Sequence, residues 1–320
     1  MLSILRAVAA GLCAVALAVP AAAQNRISIT TGGTGGVYYP LGGGMANILS
    51  KNVPGLSATA EVTGGSIDNL KLLNAGKSEV GFSMADSAYD ALQGNDKFKD
   101  GKVAARTLMV LYPNKMHVVT VEGTGINRLA DLKGKRVSTG SPGSGTEIMA
   151  LRVLEALGID AKKDLRQERL GAAESANAMK DKKIDAFFWV GGLPTAAVTD
   201  LAATPGTKIK LLDHGEAVEA MNKKYGPLYV ADTIPANTYP GQDKASTNVD
   251  VWNILVATDK MSNEMAYQIV KTLYEKKPDL VAVHKEAQNI ELKHQARGSP
   301  IPFHPGARKY FEEQGVKFAN

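Results

Sequence analysis

Short strand-like runs alternate with longer amphipathic helical runs along most of this chain. Residues 27–31 form the first strand-like run, and the helical run at 39–50 places Leu41, Met45 and Ile48 on one face. Strands that alternate with helices favour a mostly parallel sheet with helices on both faces. We therefore expect an α/β fold.

The alternation starts again after about residue 120. A short strand at 136–138 is followed by a glycine loop and by an amphipathic helix at 146–157. This restart predicts two α/β lobes rather than one sheet-and-helix unit. The strands at 116–121 and 251–257 are expected to pass between the lobes, and two such crossings form a natural hinge.

Three glycine loops, at 30–40, 63–69 and 138–147, share one design: a strand end, small residues and a helix start. Glycine lets the backbone approach a ligand closely, and a helix N-terminus favours an anion. Ser66 and Ser144 are expected to be the N-caps of the two helices behind their loops. Tight turns alone would explain one such loop, but three in register with the α/β pattern predict a small anionic ligand in the cleft.

Nucleotide-binding patterns do not fit these loops. The first loop has Tyr38 where the dinucleotide pattern has its third glycine, and Thr146 stands where the P-loop has its lysine. No lysine reaches a phosphate from that position. A nucleotide ligand is therefore not expected.

Two further segments, 81–89 and 185–194, follow strand-like runs and are expected to line the cleft, since ligands of open α/β sheets lie beyond the carboxyl ends of the strands. Asp86 either accepts a hydrogen bond from a ligand ammonium or caps the helix that contains Tyr89. Trp189 either packs in the core or covers the ligand. The residues leave both alternatives open.

The first 23 residues have the three-part pattern of a secretory signal peptide. Arg6 precedes an apolar run from Ala7 to Val19, and small residues precede a cleavage site expected between Ala23 and Gln24. A membrane anchor is the alternative, but this run is shorter than the ~20 residues that span a bilayer. The expected location is the periplasm.

Composition removes several classes of function. The chain has one cysteine, which lies within the predicted signal peptide, and its five histidines include no helical metal pair. Aromatic residues are only 6% and the basic residues are scattered despite the net charge of +5, so nucleic acid is not an expected partner. No G-x-S-x-G or H-E-x-x-H motif occurs. We expect no metal, no cofactor and no catalytic residue.

Nine short motifs occur in order along the chain. They are TGGTGGVYYPLGG at 31–43, GSIDNL at 65–70, SMADSAY at 83–89, LYP at 111–113, DLKGKRVS at 131–138, GSPGSGTE at 140–147, IDAFF at 184–188, GLPTAAV at 192–198 and IPFHPGA at 301–307. Together they resemble the TAXI family, the solute-binding proteins of one branch of the TRAP transporters. The resemblance spans essentially the whole chain after residue 23.

The resemblance implies a two-lobed periplasmic binding fold of the type II kind, with lobe 1 at 24–120 and 247–320 and lobe 2 at 121–246. It implies capture of glutamate, 2-oxoglutarate or a related carboxylate, and delivery to TRAP permease subunits driven by an ion gradient. By position, the ligand shell implied by the family comprises Thr34, Gly35, Tyr38, Ser66, Asp86, Ser87, Thr139, Gly140, Ser144, Gly145, Thr146 and Trp189.

Two departures from the family pattern bear on the ligand. Met84 stands in a neighbourhood where the family often has glutamine, and Phe188–Trp189 is bulkier than in many members. Both leave room for a smaller or less polar carboxylate. Two alternative functions stay open: a secreted sensor that binds a small carboxylate, and a secreted hydrolase. The hydrolase would need a base beside Ser66, Ser141 or Ser144, and the sequence offers none.

Overall fold

The computed structural model describes residues 25–297 and 299–318, so the predicted signal peptide at 1–23 lies outside the described residues. The strands are β1 Asn25–Thr30, β2 Leu56–Glu61, β3 Val80–Met84, β4 Ala105–Val121, β5 Arg136–Ser138, β6 Arg166–Glu168, β7 Ala186–Gly191, β8 Ile209–Leu211, β9 Val230–Ile234 and β10 Ser246–Thr258.

Helices follow most of these strands. They are α1 Tyr38–Asn52, α2 Ser66–Asn74, α3 Ala85–Gln93, α4 Gly145–Ala156, α5 Ala161–Asp164, α6 Ala172–Lys180, α7 Ala196–Ala202, α8 Ala217–Tyr225, α9 Asn263–Glu275, α10 Lys277–Val283, α11 Leu292–Gln295 and α12 Pro305–Glu313. Short 3₁₀ turns occupy Asp96–Phe98, Leu129–Leu132 and Lys285–Asn289. Among the described helices, none has both the length and the apolar character that crossing a membrane requires.

The strands form one curled mixed sheet in the order β2-β1-β3-β10-β4-β7-β5-β6, with β8 paired to β4 and β9 to β10. Within each half the pairing is parallel: β1 pairs with β2 and β3, and β5 pairs with β6 and β7. The long strands β4 and β10 run antiparallel to their neighbours. The prediction of an α/β fold with two parallel-sheet lobes and a two-strand hinge is confirmed.

The strands that join the lobes are longer than predicted. The sequence suggested two strands, at 103–112 and 116–121, but β4 is one continuous strand. Pro113 lies within this strand and pairs with Trp252, next to a shift in the register between β4 and β10. The first half of β4 pairs with β10 and its second half with β7 and β8.

The apolar faces of the helices bury distinct clusters. In lobe 1, α1 and α9 place Leu41, Met45 and Ile269 against the sheet, and each is fully buried. In lobe 2, α4 places Met149 and Val153 against the opposite half of the sheet. The lobe boundaries at 120 and 247 stay a prediction, because the long strands belong to both halves.

The sequence missed or misplaced some elements. The edge strand β9 and the helix α7 were not predicted, and most of β9 is exposed, so it carries no alternating apolar pattern. The helix expected at 279–287 ends at Val283, because His284 is extended and its Nδ1 accepts a hydrogen bond from the N–H of Glu286, which starts a 3₁₀ turn.

Candidate ligand-binding site

A cavity of about 230 Å³ lies between the lobes where the glycine loops meet. This volume is below the ~300 Å³ at which drug-sized pockets begin, so the cavity suits a small molecule. Seven of the predicted site residues line it: Gly35, Tyr38, Ser66, Ser144, Gly145, Thr146 and Trp189. The prediction that the glycine loops converge on one site is consistent with this arrangement.

The two lobes cap each other's helices across the cleft. The carbonyl of Gly143 in lobe 2 accepts hydrogen bonds from the N–H groups of Ile67 and Asp68 at the start of α2, both at 3.1 Å. Conversely, the carbonyl of Gly35 in lobe 1 accepts from the N–H of Ala197 at the start of α7, at 3.2 Å. These reciprocal caps hold the lobes in contact, so the structure is a closed form.

The start of α4 remains available to a ligand. Ser144 is its N-cap, as predicted, because its Oγ accepts a hydrogen bond from the N–H of Glu147 at 3.0 Å. The N–H groups of Gly145 and Thr146 have no acceptor among the described residues. Free N–H groups at a helix N-terminus form a site for an anion.

Ser66 does not play the predicted capping role. Gly65 is the N-cap of α2, and the Ser66 Oγ accepts a hydrogen bond from the N–H of Met84 at 3.0 Å. The Thr146 Oγ1 likewise accepts from the N–H of Val190 at 3.3 Å. An accepting hydroxyl keeps its own proton, so Ser66 and Thr146 can each donate into the cavity.

Gly145 brings these donors together. A Cβ at this position would lie 2.5 Å from the Met84 Sδ, 2.9 Å from the Ser66 Oγ and 3.2 Å from the Ser87 Oγ. Only a glycine lets the first turn of α4 approach lobe 1 so closely. The Gly145 N–H therefore lies close to the Ser66 hydroxyl, although they belong to different lobes.

The inner end of the cavity is polar and uncharged. The Tyr38 hydroxyl and the Asn114 amide both donate to the Asn253 Oδ1. Burial raises the pKa of Tyr38 well above its usual value, so the hydroxyl stays protonated. Tyr112 and Asn114 line the cavity here and are almost completely buried.

The outer wall carries aromatic surface and one charge. The Trp189 ring lies against Gly36, where a Cβ would come within 2.8 Å of it, and its Nε1 donates to the Thr195 Oγ1 at 2.9 Å. Trp189 lines the cavity and also packs against the buried cluster that contains Phe187 and Val198, so its role in covering a ligand stays a prediction. Glu174, which is exposed, is the one charged side chain among the described residues of the cavity wall, and it is an acid.

The other predicted site residues lie outside this cavity, and their ligand roles stay predictions. Thr34 faces a neighbouring surface groove. Thr139 is buried and its Oγ1 accepts from the Gln167 Nε2 at 2.8 Å, while Gly140 takes a φ of 107° behind the start of α4. Ser87 is buried beneath Gly145.

Asp86 belongs to a buried ionic cluster between α3 and α4. Its Oδ2 accepts from the Tyr229 hydroxyl at 2.9 Å and lies 3.6 Å from the Arg152 guanidinium, which also pairs with Asp90. Met84, not Asp86, is the N-cap residue of α3, so the capping alternative is wrong. Within this structure the charge of Asp86 is directed to Arg152 rather than to the cavity.

None of the histidines of the described region lines the cavity. His117 is fully buried, with its Nε2 2.7 Å from the Tyr239 hydroxyl, and burial lowers its pKa to about 4. Burial also lowers the pKa of His214 to about 4. No group of three or more potential metal-ligating side chains comes together within residues 25–297 and 299–318.

The model of the NMT1-like family matches residues 29–315, which is nearly all of the described chain. The chain belongs to the NMT1-like family. The matched range includes the glycine loops and every residue that lines the cavity of this NMT1-like protein.

Solved structures share the fold of this NMT1-like protein at low identity. A periplasmic transporter is 13% identical, with 94% of this chain and 99% of that chain covered and a TM-score of 0.53. A putative L-cystine ABC transporter from Listeria monocytogenes is 16% identical, with 83% of this chain and 95% of that chain covered and a TM-score of 0.50. A protein from Bordetella bronchiseptica RB50 is 18% identical, with 90% of this chain and 80% of that chain covered and a TM-score of 0.50. The fold is that of two-lobed periplasmic solute-binding proteins.

Sequence reasoning missed the inner end of the cavity. Tyr112, Asn114 and Asn253 lie on the two long strands, and none of them follows a glycine loop. The available signal was Asn253 within the apolar run at 251–257 of β10 and Asn114 in the middle of β4. A buried side-chain amide needs hydrogen-bond partners, so such a residue either makes a structural hydrogen bond or binds a ligand.

Proposed function

We propose that this NMT1-like protein is an extracytoplasmic solute-binding protein that closes on a small carboxylate. One observation carries the proposal: four hydrogen-bond donors meet in a small cavity between the lobes. They are the N–H groups of Gly145 and Thr146 and the hydroxyls of Ser66 and Thr146. Such donors suit a carboxylate, because they bring partial positive charge to an anion without a buried cation.

Both lobes contribute to this set of donors. Ser66 comes from lobe 1, while Gly145 and Thr146 come from lobe 2. A ligand held by both lobes binds the closed form better than an open one, so it shifts the population toward closure. In the proposed cycle the loaded, closed form is the one that a membrane partner recognises.

The resemblance to the TAXI family supports a TRAP permease as that partner and the periplasm as the location. Glutamate, 2-oxoglutarate and related carboxylates are then the first ligands to test. A sensor that reports to a receptor would use the same cavity, and a neighbouring permease subunit would separate the two functions. A hydrolase is disfavoured, because no histidine or lysine lines the described part of the cavity beside Ser66.

A thermal-shift screen of the purified protein against small carboxylates tests this proposal. A ligand at 100 times its Kd stabilises the folded state by about 2.7 kcal/mol, which raises the Tm measurably. The variant Gly145→Val should lose that response, because a Cβ there would lie 2.5 Å from the Met84 Sδ and 2.9 Å from the Ser66 Oγ, so the donors of α4 and Ser66 could no longer meet. Gly43→Val is the matched control, since a Cβ at Gly43 has no neighbour within 4 Å.

The proposal fails if glutamate, 2-oxoglutarate and the common mono- and dicarboxylates all leave the Tm unchanged. An acid that stabilises the Gly145→Val variant as strongly as the native protein would place the carboxylate elsewhere. The Gly43→Val variant must respond like the native protein, because it lies on the exposed face of α1.

A further inference from the structure

Three buried polar groups at the inner end of the cavity lack hydrogen-bond partners. They are the Tyr112 hydroxyl, the Asn114 Oδ1 and the Asn253 Nδ2, and none has a partner among the described residues. Each side chain is at most 1% exposed. An unsatisfied buried polar group is destabilising by roughly 1–3 kcal/mol. Two of these groups, the Tyr112 hydroxyl and the Asn114 Oδ1, belong to residues that line the cavity, so a ligand in the cavity is the partner available to them.

These groups form one surface, which we call the polar floor: Tyr112, Asn114 and Asn253. Tyr112 and Asn114 line the cavity directly, and Asn253 holds Asn114 through its amide oxygen. Turning both amides over exchanges the donor and the acceptor but still leaves one of each free. Asn253 does not line the cavity, so the ligand meets the free atom of Asn114 and the Tyr112 hydroxyl, which can both donate and accept. These two residues offer a donor and an acceptor whichever way the amides face.

The polar floor does not offer a positive charge. The lysine next to it in sequence, Lys115, places its Nζ 2.6 Å from Asp232 and 2.9 Å from Asp250, so its charge is already paired. The nearby Glu286 carboxylate is buried and accepts from the N–H of Leu193 at 2.6 Å. A second carboxylate at the polar floor would be buried without a cation, which is strongly unfavourable.

We propose that the polar floor binds a neutral hydrogen-bonding group at the far end of the ligand. The ligand is then a small monocarboxylate with a terminal amide or hydroxyl, and not a dicarboxylate. One end meets the free N–H groups of α4 and the other meets Tyr112 and Asn114. This inference rests on the proposed function, since it assumes that the carboxylate lies at α4.

The test uses three acids of the same chain length: succinamate with one amide end, succinate with two carboxylates and butyrate with an apolar end. Their affinities for the full protein are measured by calorimetry at one pH and salt concentration. We expect succinamate to bind at least about tenfold more tightly than either of the others, because it alone satisfies the polar floor without burying a second charge.

The variant Tyr112→Phe tests the polar floor without endangering the fold. It removes only a hydroxyl that makes no hydrogen bond, so the Tm of the unliganded protein should stay the same or rise. The preference for succinamate over butyrate should fall by about threefold or more. The matched control is Tyr239→Phe, whose hydroxyl is bonded to His117 and Thr195: it should lower the Tm and leave the preference unchanged.

The outcomes separate the two claims. Succinate or butyrate binding as tightly as succinamate overturns the inference and leaves the proposed function intact. An unchanged preference in Tyr112→Phe also overturns it, because the polar floor would then not be in contact with the ligand. If none of the three acids binds and no compound in the wider screen of carboxylates raises the Tm, the proposed function itself fails and the inference fails with it.

Discussion

Arg152 is the cation of the buried ionic cluster between α3 and α4. The Arg152 side chain is 4% exposed and lies between Asp90, which is 7% exposed, and the fully buried Asp86. Its guanidinium also donates to the Tyr229 hydroxyl at 2.8 Å and lies over the Tyr225 ring at 4.2 Å. Replacing Arg152 with methionine keeps most of the volume and removes the charge.

The loss of this cation leaves two buried carboxylates without their partner. Removal of one member of a buried ion pair is destabilising by about 3–5 kcal/mol. At about 2 °C per kcal/mol for a chain of this size, Arg152→Met should lower the Tm by roughly 6–10 °C at neutral pH. Arg128→Met is the control, since Arg128 is 79% exposed in its pair with Asp131, and it should leave the Tm nearly unchanged.

The difference in Tm between Arg152→Met and the native protein should also depend on pH. Burial raises the pKa of Asp90 to about 6 even though Arg152 opposes the shift, so without Arg152 this carboxyl binds its proton more readily. The folded variant therefore binds more protons than the folded native protein near pH 6, and its stability falls more steeply as the pH rises. Calorimetric melting at pH 5.5 and 7.5 should show a smaller Tm deficit at pH 5.5.

Two results would refute this account of the cluster. A Tm deficit of less than about 2 °C at pH 7.5 would mean that the pair contributes no more than an exposed one. A deficit that grows as the pH falls would mean that the carboxylates are not the groups left unpaired. The double variant Arg152→Met with Asp90→Asn should recover part of the loss, because it removes one of the two uncompensated charges.

Further predictions concern the cap of α4 and a buried histidine. Ser144→Ala should destabilise the protein by about 1 kcal/mol, measured by urea unfolding, and should weaken carboxylate binding. The control is Ser262→Ala at the N-cap of α9, which should destabilise the protein by a similar amount without affecting binding. His117 is buried neutral with a pKa of about 4, so the unfolded chain takes up its proton first and stability is lost as the pH falls from about 6.5 to 4. His117→Gln should reduce that loss by about 2–3 kcal/mol, seen as a shallower fall of Tm with acid; an unchanged slope would contradict this.

Local patterns in the sequence were sufficient to predict most of the strands, loops and helices that form the site. The strand, glycine loop and helix units of β1–α1 and β5–α4 were predicted because helical periodicity and glycine act over neighbouring residues. The N-cap at Ser144 was predicted for the same reason. Ser66 was not, because its hydroxyl bonds to Met84, a residue that sequence spacing does not bring near it.

Features that depend on pairing between distant segments could not be predicted from local sequence patterns. The strand β4 continues through Pro113 while it pairs with β10, and local sequence rules do not indicate this pairing. The polar floor needs β4 and β10 side by side, and the reciprocal caps of Gly35 and Gly143 need the two lobes in contact. Sequence reasoning identified where the loops begin but not which of their donors the opposite lobe already uses.

The most direct test of the central claim is a crystal structure of the protein with the best-binding acid of the carboxylate screen. We expect the carboxylate oxygens to lie about 3 Å from the N–H groups of Gly145 and Thr146 and within hydrogen-bond distance of the Ser66 hydroxyl. A carboxylate bound away from the start of α4 would contradict it, as would an acid held by only one lobe.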